Sequence, residues 1–311
     1  MKIFKKILLT VIVLLVISSV GGYFYFNNKF TPPENYLTVK GVSEKISLKW
    51  ISSESNPNVA ILLPVKLEGI SQPFYMQLDF GSPTTLMYST ALKSIQSIFP
   101  SVIDSKEDSQ RASLRFQLGE MKVSSDTFKV LTYGKVIEWK IEATNIIGTI
   151  GTDLLEKRQI TLNFKEDYCL FDINENKNGF TAFEFEKRRL LFPAKIGNKN
   201  LKLLYDSGTS GYELITNQRE WEKYRVKGGK TKSEKANSMG NTLTVISAPA
   251  KKTIEIGLTN LNLSEVTYVE GTSTVQNILI RFSGMQGMVG NKLFLNQILI
   301  IDCKSEKFKI E

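Results

Sequence analysis

The 311-residue chain contains no histidine and only two cysteines, Cys169 and Cys303. Without histidine, neither a Ser-His-Asp nor a Cys-His nucleophile can be built, and the commonest zinc sites are lost with it. Two cysteines cannot make a disulfide framework or a cysteine-rich metal site. They leave one disulfide or, as the plainer reading, two buried free thiols. Acid–base chemistry then falls most naturally to carboxylates. The chain also lacks a basic stripe interleaved with aromatics. Its 40 Lys+Arg outnumber 31 Asp+Glu for a net charge of +9, but they are scattered, with no cluster longer than Lys187-Arg188-Arg189. That pattern describes a lysine-rich solvated surface and argues against a nucleic-acid partner. Hydrophobic content of 42% and charged content of 23% are those of an ordinary globular protein, long enough for two cores.

Long apolar runs are absent as well, save one at the start. Lys2, Lys5 and Lys6 precede an uncharged stretch from Ile7 to Phe26, about 20 residues and long enough to cross a bilayer as a helix. Lysines ahead of the run favour a cytoplasmic N-terminus over residues 1–6, an anchor over 7–26 and a body outside the cytoplasm, on the cell-envelope side. Ser19 and Gly21 form a weak cleavage signature, so secretion after signal cleavage is the alternative. No cysteine follows the run, which excludes a lipoprotein. Residues 27–45, with Pro32-Pro33-Glu34-Asn35, read as a polar tether.

What the body does contain is a phrase stated twice. Leu78-Asp79-Phe80-Gly81-Ser82 is answered by Tyr205-Asp206-Ser207-Gly208-Thr209, each aspartate closing an apolar run. Each copy has a second block downstream: Gly148-Thr149-Ile150-Gly151 and Gly287-Met288-Val289-Gly290, with Asn163 and Asp302 each 12 residues beyond the last glycine. Before each aspartate lies a hairpin pattern of apolar alternation, turn and strand: Val59 to Gly69 then Phe74 to Asp79, and Leu190 to Asn198 then Leu201 to Asp206. Pro64 and Pro193 hold similar positions, suited to a strand edge. Further strands are expected over 114–119, 128–131, 253–257 and 263–268, and short helices over 91–98 and 218–224. The expectation is an all-β body of two homologous lobes related by a pseudo-two-fold axis, 46–177 and 178–311. No Gly-Lys-Ser/Thr completes either glycine block, so tight backbone packing is favoured over phosphate binding. Asp153 and Asp302 have no ligand cluster around them and read as structural groups, with no metal or other cofactor implied.

These residues resemble the bilobal pepsin-like and retropepsin-like aspartic peptidases, whose signature is Asp-Thr/Ser-Gly-Ser/Thr at the end of a strand, twice. Asp206-Ser207-Gly208-Thr209 fits in full, and Ile150-Gly151 and Val289-Gly290 resemble the paired loops that thread behind the site. The resemblance runs from about Val59 to Glu311. It implies Asp79 and Asp206 as a catalytic dyad sharing one proton, activating a water against a peptide carbonyl. Gly81 and Gly208 would let loop amides approach the carboxylates, while the Ser82 and Thr209 hydroxyls would bond their outer oxygens. Ser207 would brace one active loop against the other, and hydrogen bonding would give an acidic optimum. The chain departs from the pattern at Phe80, where a hydroxyl is usual, and over 105–118, where a substrate-clamping flap tyrosine is missing. The implied function is a membrane-tethered endopeptidase acting on extended peptide or protein, monomeric because one chain holds both halves. The alternatives are an inactive relative binding peptide in the same cleft and an envelope structural protein.

Overall fold

The computed structural model describes residues 22, 28, 31–54, 56–104, 110–173, 178–238, 241–271 and 284–311, with backbone alone at 236–238 and 241. Apart from Gly22, the expected anchor over 7–26 lies outside the described residues, and among the described residues no helix is long and apolar enough to cross a membrane. Two compact units are present, Met1–Glu34 and Asn35–Glu311. In the first, the Thr31 N–H donates to the Asn28 carbonyl.

The second unit is mostly β, because its apolar residues alternate. Phe74, Met76 and Leu78 of the strand Phe74–Leu78 are buried while Tyr75 and Gln77 are not, so one face enters the core. Eight described strands of the N-terminal half make one sheet. At its centre Phe74–Leu78 runs parallel to Ile146–Ile150, which is antiparallel to Leu86–Tyr88, itself parallel to Met121–Leu131. The C-terminal half repeats this unit. Lys199–Tyr205 runs parallel to Gly287–Val289, which is antiparallel to Leu214–Thr216, itself parallel to Thr259–Glu270. Helices Ser89–Gln96 and Gln218–Tyr224 follow the equivalent short strands, close to where periodicity expects them.

A six-stranded sheet joins the halves through Gln159–Asn163 and Ile298–Asp302, antiparallel with Thr161 opposite Ile300. Both strands end on the same device. Asn163 Oδ1 accepts from the Lys165 and Glu166 N–H groups, and Asp302 Oδ1 accepts from those of Lys304 and Ser305. Asp302 is thus structural, as expected. Cys169, in the same sheet, and Cys303 are buried free thiols.

Pro64 and Pro193 lie inside strands, not at their ends. Ala60–Leu67 pairs with Lys49–Ile51 up to Leu62 and with Arg111–Leu118 from Lys66, so Pro64 falls in the gap between partners. Arg189–Ile196 likewise passes from Glu184–Glu186 to Asn241–Ile256 across Pro193. A residue without an N–H costs no ladder bond there.

The span 27–45 is not wholly a tether. Thr38–Lys40 pairs with Met121–Leu131, and Ser43–Ser47 joins the six-stranded sheet beside Tyr168–Phe171. Tyr36 packs edge-on against Phe128 and Asn35 donates to the Asp153 carbonyl, so apolar burial and backbone pairing outweigh the polar composition.

The halves differ beyond their helices. An isolated bridge joins Asp104 to Ser113, and its counterpart joins Arg225 to Ala250. The first encloses 105–112, of which 105–109 lie outside the described residues. The second encloses 226–249 and carries the hairpin of Lys232–Ser238 and Asn241–Ile256. The flap expected over 105–118 is described only from residue 110 onward. Arg111–Leu118 is a sheet strand paired to both Met121–Leu131 and Ala60–Leu67, and the long hairpin at this topological position belongs to the C-terminal half.

Candidate active site

Each aspartate stands where its strand is pinned by the parallel strand beside it. The Asp79 N–H donates to the Ile150 carbonyl at 3.0 Å, and the Asp206 N–H to the Val289 carbonyl at 3.0 Å. Gly151 and Gly290 follow directly, packed against the aspartate loops. A Cβ on Gly151 would stand 2.5 Å from the Thr84 carbonyl carbon, and one on Gly290 2.1 Å from the Thr209 oxygen. The chain then turns into the 3-10 segments Thr152–Leu155 and Asn291–Phe294.

These two supports bring Asp79 and Asp206 together. Gly81 N–H donates to Asp79 Oδ1 at 2.9 Å and Gly208 N–H to Asp206 Oδ1 at 2.8 Å. Each glycine also faces the other half's carboxylate. A Cβ on Gly81 would lie 2.6 Å from Asp206 Oδ1, and one on Gly208 2.4 Å from Asp79 Oδ1. Only hydrogen at those α-carbons allows the approach. The two carboxyls therefore face each other between the paired loops.

The Ser82 and Thr209 hydroxyls do not reach the carboxylates. Ser82 Oγ donates to the Thr84 carbonyl at 2.7 Å and Thr209 Oγ1 to the Asp206 carbonyl at 2.9 Å. Their backbone N–H groups close the turns on the Asp79 and Asp206 main-chain carbonyls, at 3.1 Å and 3.2 Å, and lie near the carboxylates. A two-residue turn aims amides inward and spends the hydroxyls on the loop's own carbonyls.

Burial lifts both acids above the ordinary carboxylate range. Asp206 is pushed up to about 7 by burial and then by repulsion from Asp79, against the Gly208 and Thr209 N–H groups. Asp79 is raised by burial too, opposed by the Gly81 and Ser82 N–H groups and by the Asp206 carboxyl. The hydrogen bonds expected to bring the first ionisation down do act that way, but desolvation outweighs them. Two carboxyls this close titrate as a pair and hold one proton between its two steps.

Ser207 makes the brace expected of it. Its fully buried Oγ accepts from the Phe80 N–H at 2.9 Å and donates to the Leu78 carbonyl at 3.0 Å. Phe80 has no hydroxyl to return the contact; its ring meets that of Tyr205 edge-on, with centroids 5.9 Å apart. Tyr88 is buried, with its hydroxyl 2.5 Å from Thr149 Oγ1, and Tyr133 packs edge-on against it. Trp139 packs against Phe74 and Phe99 instead. Tyr75 lies under Lys49 Nζ.

Two contacts here escaped the sequence reading, the Tyr205–Asn291 and Tyr212–Glu234 bonds, while Asp153 was read only as a structural group. Tyr205 OH donates to Asn291 Oδ1 at 2.6 Å, with both residues fully buried. Asp153 is buried, takes both the N–H and the hydroxyl of Thr85, and is pushed up to about 6 by burial. Tyr212 OH donates to Glu234 at 3.0 Å, tying the strand Lys232–Ser238 to the turn after Asp206. A phenol directly before the aspartate, at the buried end of its strand, was the one visible signal, since a buried tyrosine needs a hydrogen-bond partner. Its partner, 86 positions along the chain, carried none.

No family model and no curated protein sequence matches the chain. Among solved structures, the aspartic proteinase from Irpex lacteus is similar, with a TM-score of 0.49 and 10% sequence identity over 81% of this chain and 94% of that one.

Proposed function

We propose that the protein is an aspartic-type endopeptidase whose catalytic residues are Asp79 and Asp206. The observation that carries this reading is the pair itself: two carboxyls brought together between the loops, Asp206 buried and Asp79 half-buried, each held by its own loop's glycine amide and faced by the other half's glycine. Two such groups cannot both ionise cheaply, so they hold one proton over a range of pH. The ionised member takes a proton from a water that attacks the peptide carbonyl. The proton of the other goes to the carbonyl oxygen, and the tetrahedral intermediate collapses as a carboxyl proton passes to the leaving amine. The two halves act as homologous lobes, and the substrate is an extended segment of peptide or protein lying between them. The long hairpin of the second lobe, tied to the Asp206 turn through Tyr212 and Glu234, lies along that segment. The run over 7–26 tethers the body to the membrane on its extracytoplasmic side.

The test is a peptide library assayed across pH with wild type, Asp79→Asn and Asp206→Asn. Cleavage lost in both variants, with a bell-shaped kcat/KM falling above about pH 7, is the expected result. A second reading, peptide binding without turnover, draws on Phe80, which removes one of two cross-loop hydroxyls. Saturable binding with no cleavage between about pH 3 and pH 8 would establish it in place of the first.

A further inference from the structure

The active loops of this chain are braced by a hydroxyl in one direction only, and a second buried contact occupies the place of the other. Phe80 is 1% exposed and leans edge-on against the Tyr205 ring. That ring is fixed on its other sides by Phe192, stacked at 5.6 Å, and by Phe294, edge-on at 5.6 Å. Its hydroxyl donates to Asn291 Oδ1 at 2.6 Å. Asn291 Nδ2 donates to Ser210 Oγ at 2.6 Å and reaches the Ser207 carbonyl at 3.4 Å. Ser210 Oγ closes the circuit by donating to the Ser207 carbonyl at 2.6 Å. Tyr205, Ser207, Ser210 and Asn291 are all fully buried. The Asp206 loop is thus pinned from behind, at the residue whose own hydroxyl grips the Asp79 loop from in front. A fully satisfied buried network of this kind has few alternative arrangements.

Among the described residues, the N-terminal half has no phenol–amide relay behind its loop. Leu78 stands where Tyr205 does, and Thr152, the counterpart of Asn291, donates to the Ser82 and Arg188 carbonyls. The phenol and the amide occur together only on the side facing Phe80.

We infer that Tyr205 and Asn291, acting through Ser210, are positioning residues that replace the hydroxyl missing at position 80 and fix the Asp206 carboxyl against Asp79. This rests on the paired-carboxylate reading above. The groups that set the charge of the pair are the two carboxyls, the loop amides of Gly81, Ser82, Gly208 and Thr209, and the phenols of Tyr205 and Tyr88. Both phenols are raised by burial and stay neutral where the carboxyls titrate.

The experiment is a 13C titration of aspartate carboxyls in the full chain, alongside kcat, KM and Tm, for wild type and Tyr205→Phe. That substitution keeps the ring packing and removes only the O–H. The expected result is an upper step of the pair lowered by about half a unit or more, as looser carboxyls couple less. It comes with a kcat reduced about tenfold or more at unchanged KM. Ser210→Ala, a milder break in the relay, should move both in the same direction. Phe80→Thr in the Tyr205→Phe background should return the upper step toward wild type. A lower Tm with the upper step and kcat unmoved in Tyr205→Phe and Ser210→Ala would reduce the network to packing and overturn the inference. Wild-type carboxyls titrating independently near 4 would overturn the paired site itself, and the two failures are told apart in the wild-type spectrum.

Discussion

The two halves reach the same loop geometry with unequal means. In the N-terminal half the aspartate follows Leu78, the loop is held from behind by Thr152, and a buried carboxyl, Asp153, gathers the N–H and hydroxyl of Thr85. In the C-terminal half the aspartate follows Tyr205 and the loop is held by an amide relay. Lys292, in place of Asp153, turns to Glu265 at 2.9 Å instead. The excursion after the short helix is brief in the first half and a long hairpin in the second. What is common to both is backbone: the parallel strand pair, the amide behind each aspartate and the glycine facing the opposite carboxylate. A duplicated fold can lose a side-chain contact on one side when packing restores the constraint from the other, whereas a glycine at van der Waals contact has no substitute.

That contrast can be broken experimentally, most severely at the elements the halves share. Asp79→Asn and Asp206→Asn should each reduce kcat by about 1,000-fold or more, equally, since each half supplies one member of the pair. Unequal losses would show that one carboxyl only shapes the site. Gly290→Ala sets a methyl 2.1 Å from the Thr209 oxygen and 2.6 Å from that of Tyr212, and should destabilise by about 3 kcal/mol or more in denaturant unfolding. Gly151→Ala should do the same a little less severely, its nearest contact being 2.5 Å.

Ser207→Ala tests what differs. It leaves the buried Phe80 N–H and Leu78 carbonyl without their cross-loop partner, at a cost of about 2–4 kcal/mol. Ser82→Ala breaks a single local bond to Thr84 and should cost about 1 kcal/mol. Equal losses of Tm would contradict the one-sided brace.

The pH dependence of stability separates the carboxyls in turn. Asp206 is held at about 7 and Asp153 at about 6, both above the ordinary 3.8. The folded chain therefore keeps protons that the unfolded chain has released. This stabilisation is complete below about pH 4 and is lost as pH rises through about 6 and about 7. Asp206→Asn should raise Tm at pH 8, where the buried charge has become a liability, and leave it little changed at pH 4. A Tm for Asp206→Asn below wild type at pH 8 would mean that the charge is better compensated than burial implies.

Much of this was legible in the residue order. The duplicated Asp-x-Gly phrase and its downstream Gly-x-x-Gly block located the loops and the strands that end at them, because those depend on local pattern and spacing. Asn163 and Asp302 were matched by spacing, and they do cap matching turns. Strand lengths read short where exposed stretches lack alternation; the hairpin strand Asn241–Ile256 was visible only over its last few residues. The roles of the Ser82 and Thr209 hydroxyls read wrongly, since a hydroxyl beside a carboxylate in sequence can equally turn to its own loop.

By itself, the sequence determined that histidine chemistry is excluded, that two aspartates stand in equivalent phrases, and that one of those phrases lacks a hydroxyl. Those are matters of which side chains exist and at what spacing. Only the tertiary structure decided what packs against Phe80 and that burial outweighs hydrogen bonding at the two carboxyls. Each of these depends on groups more than 80 positions apart, such as Tyr205 and Asn291, or on the exclusion of water by both halves at once. No local pattern encodes either one.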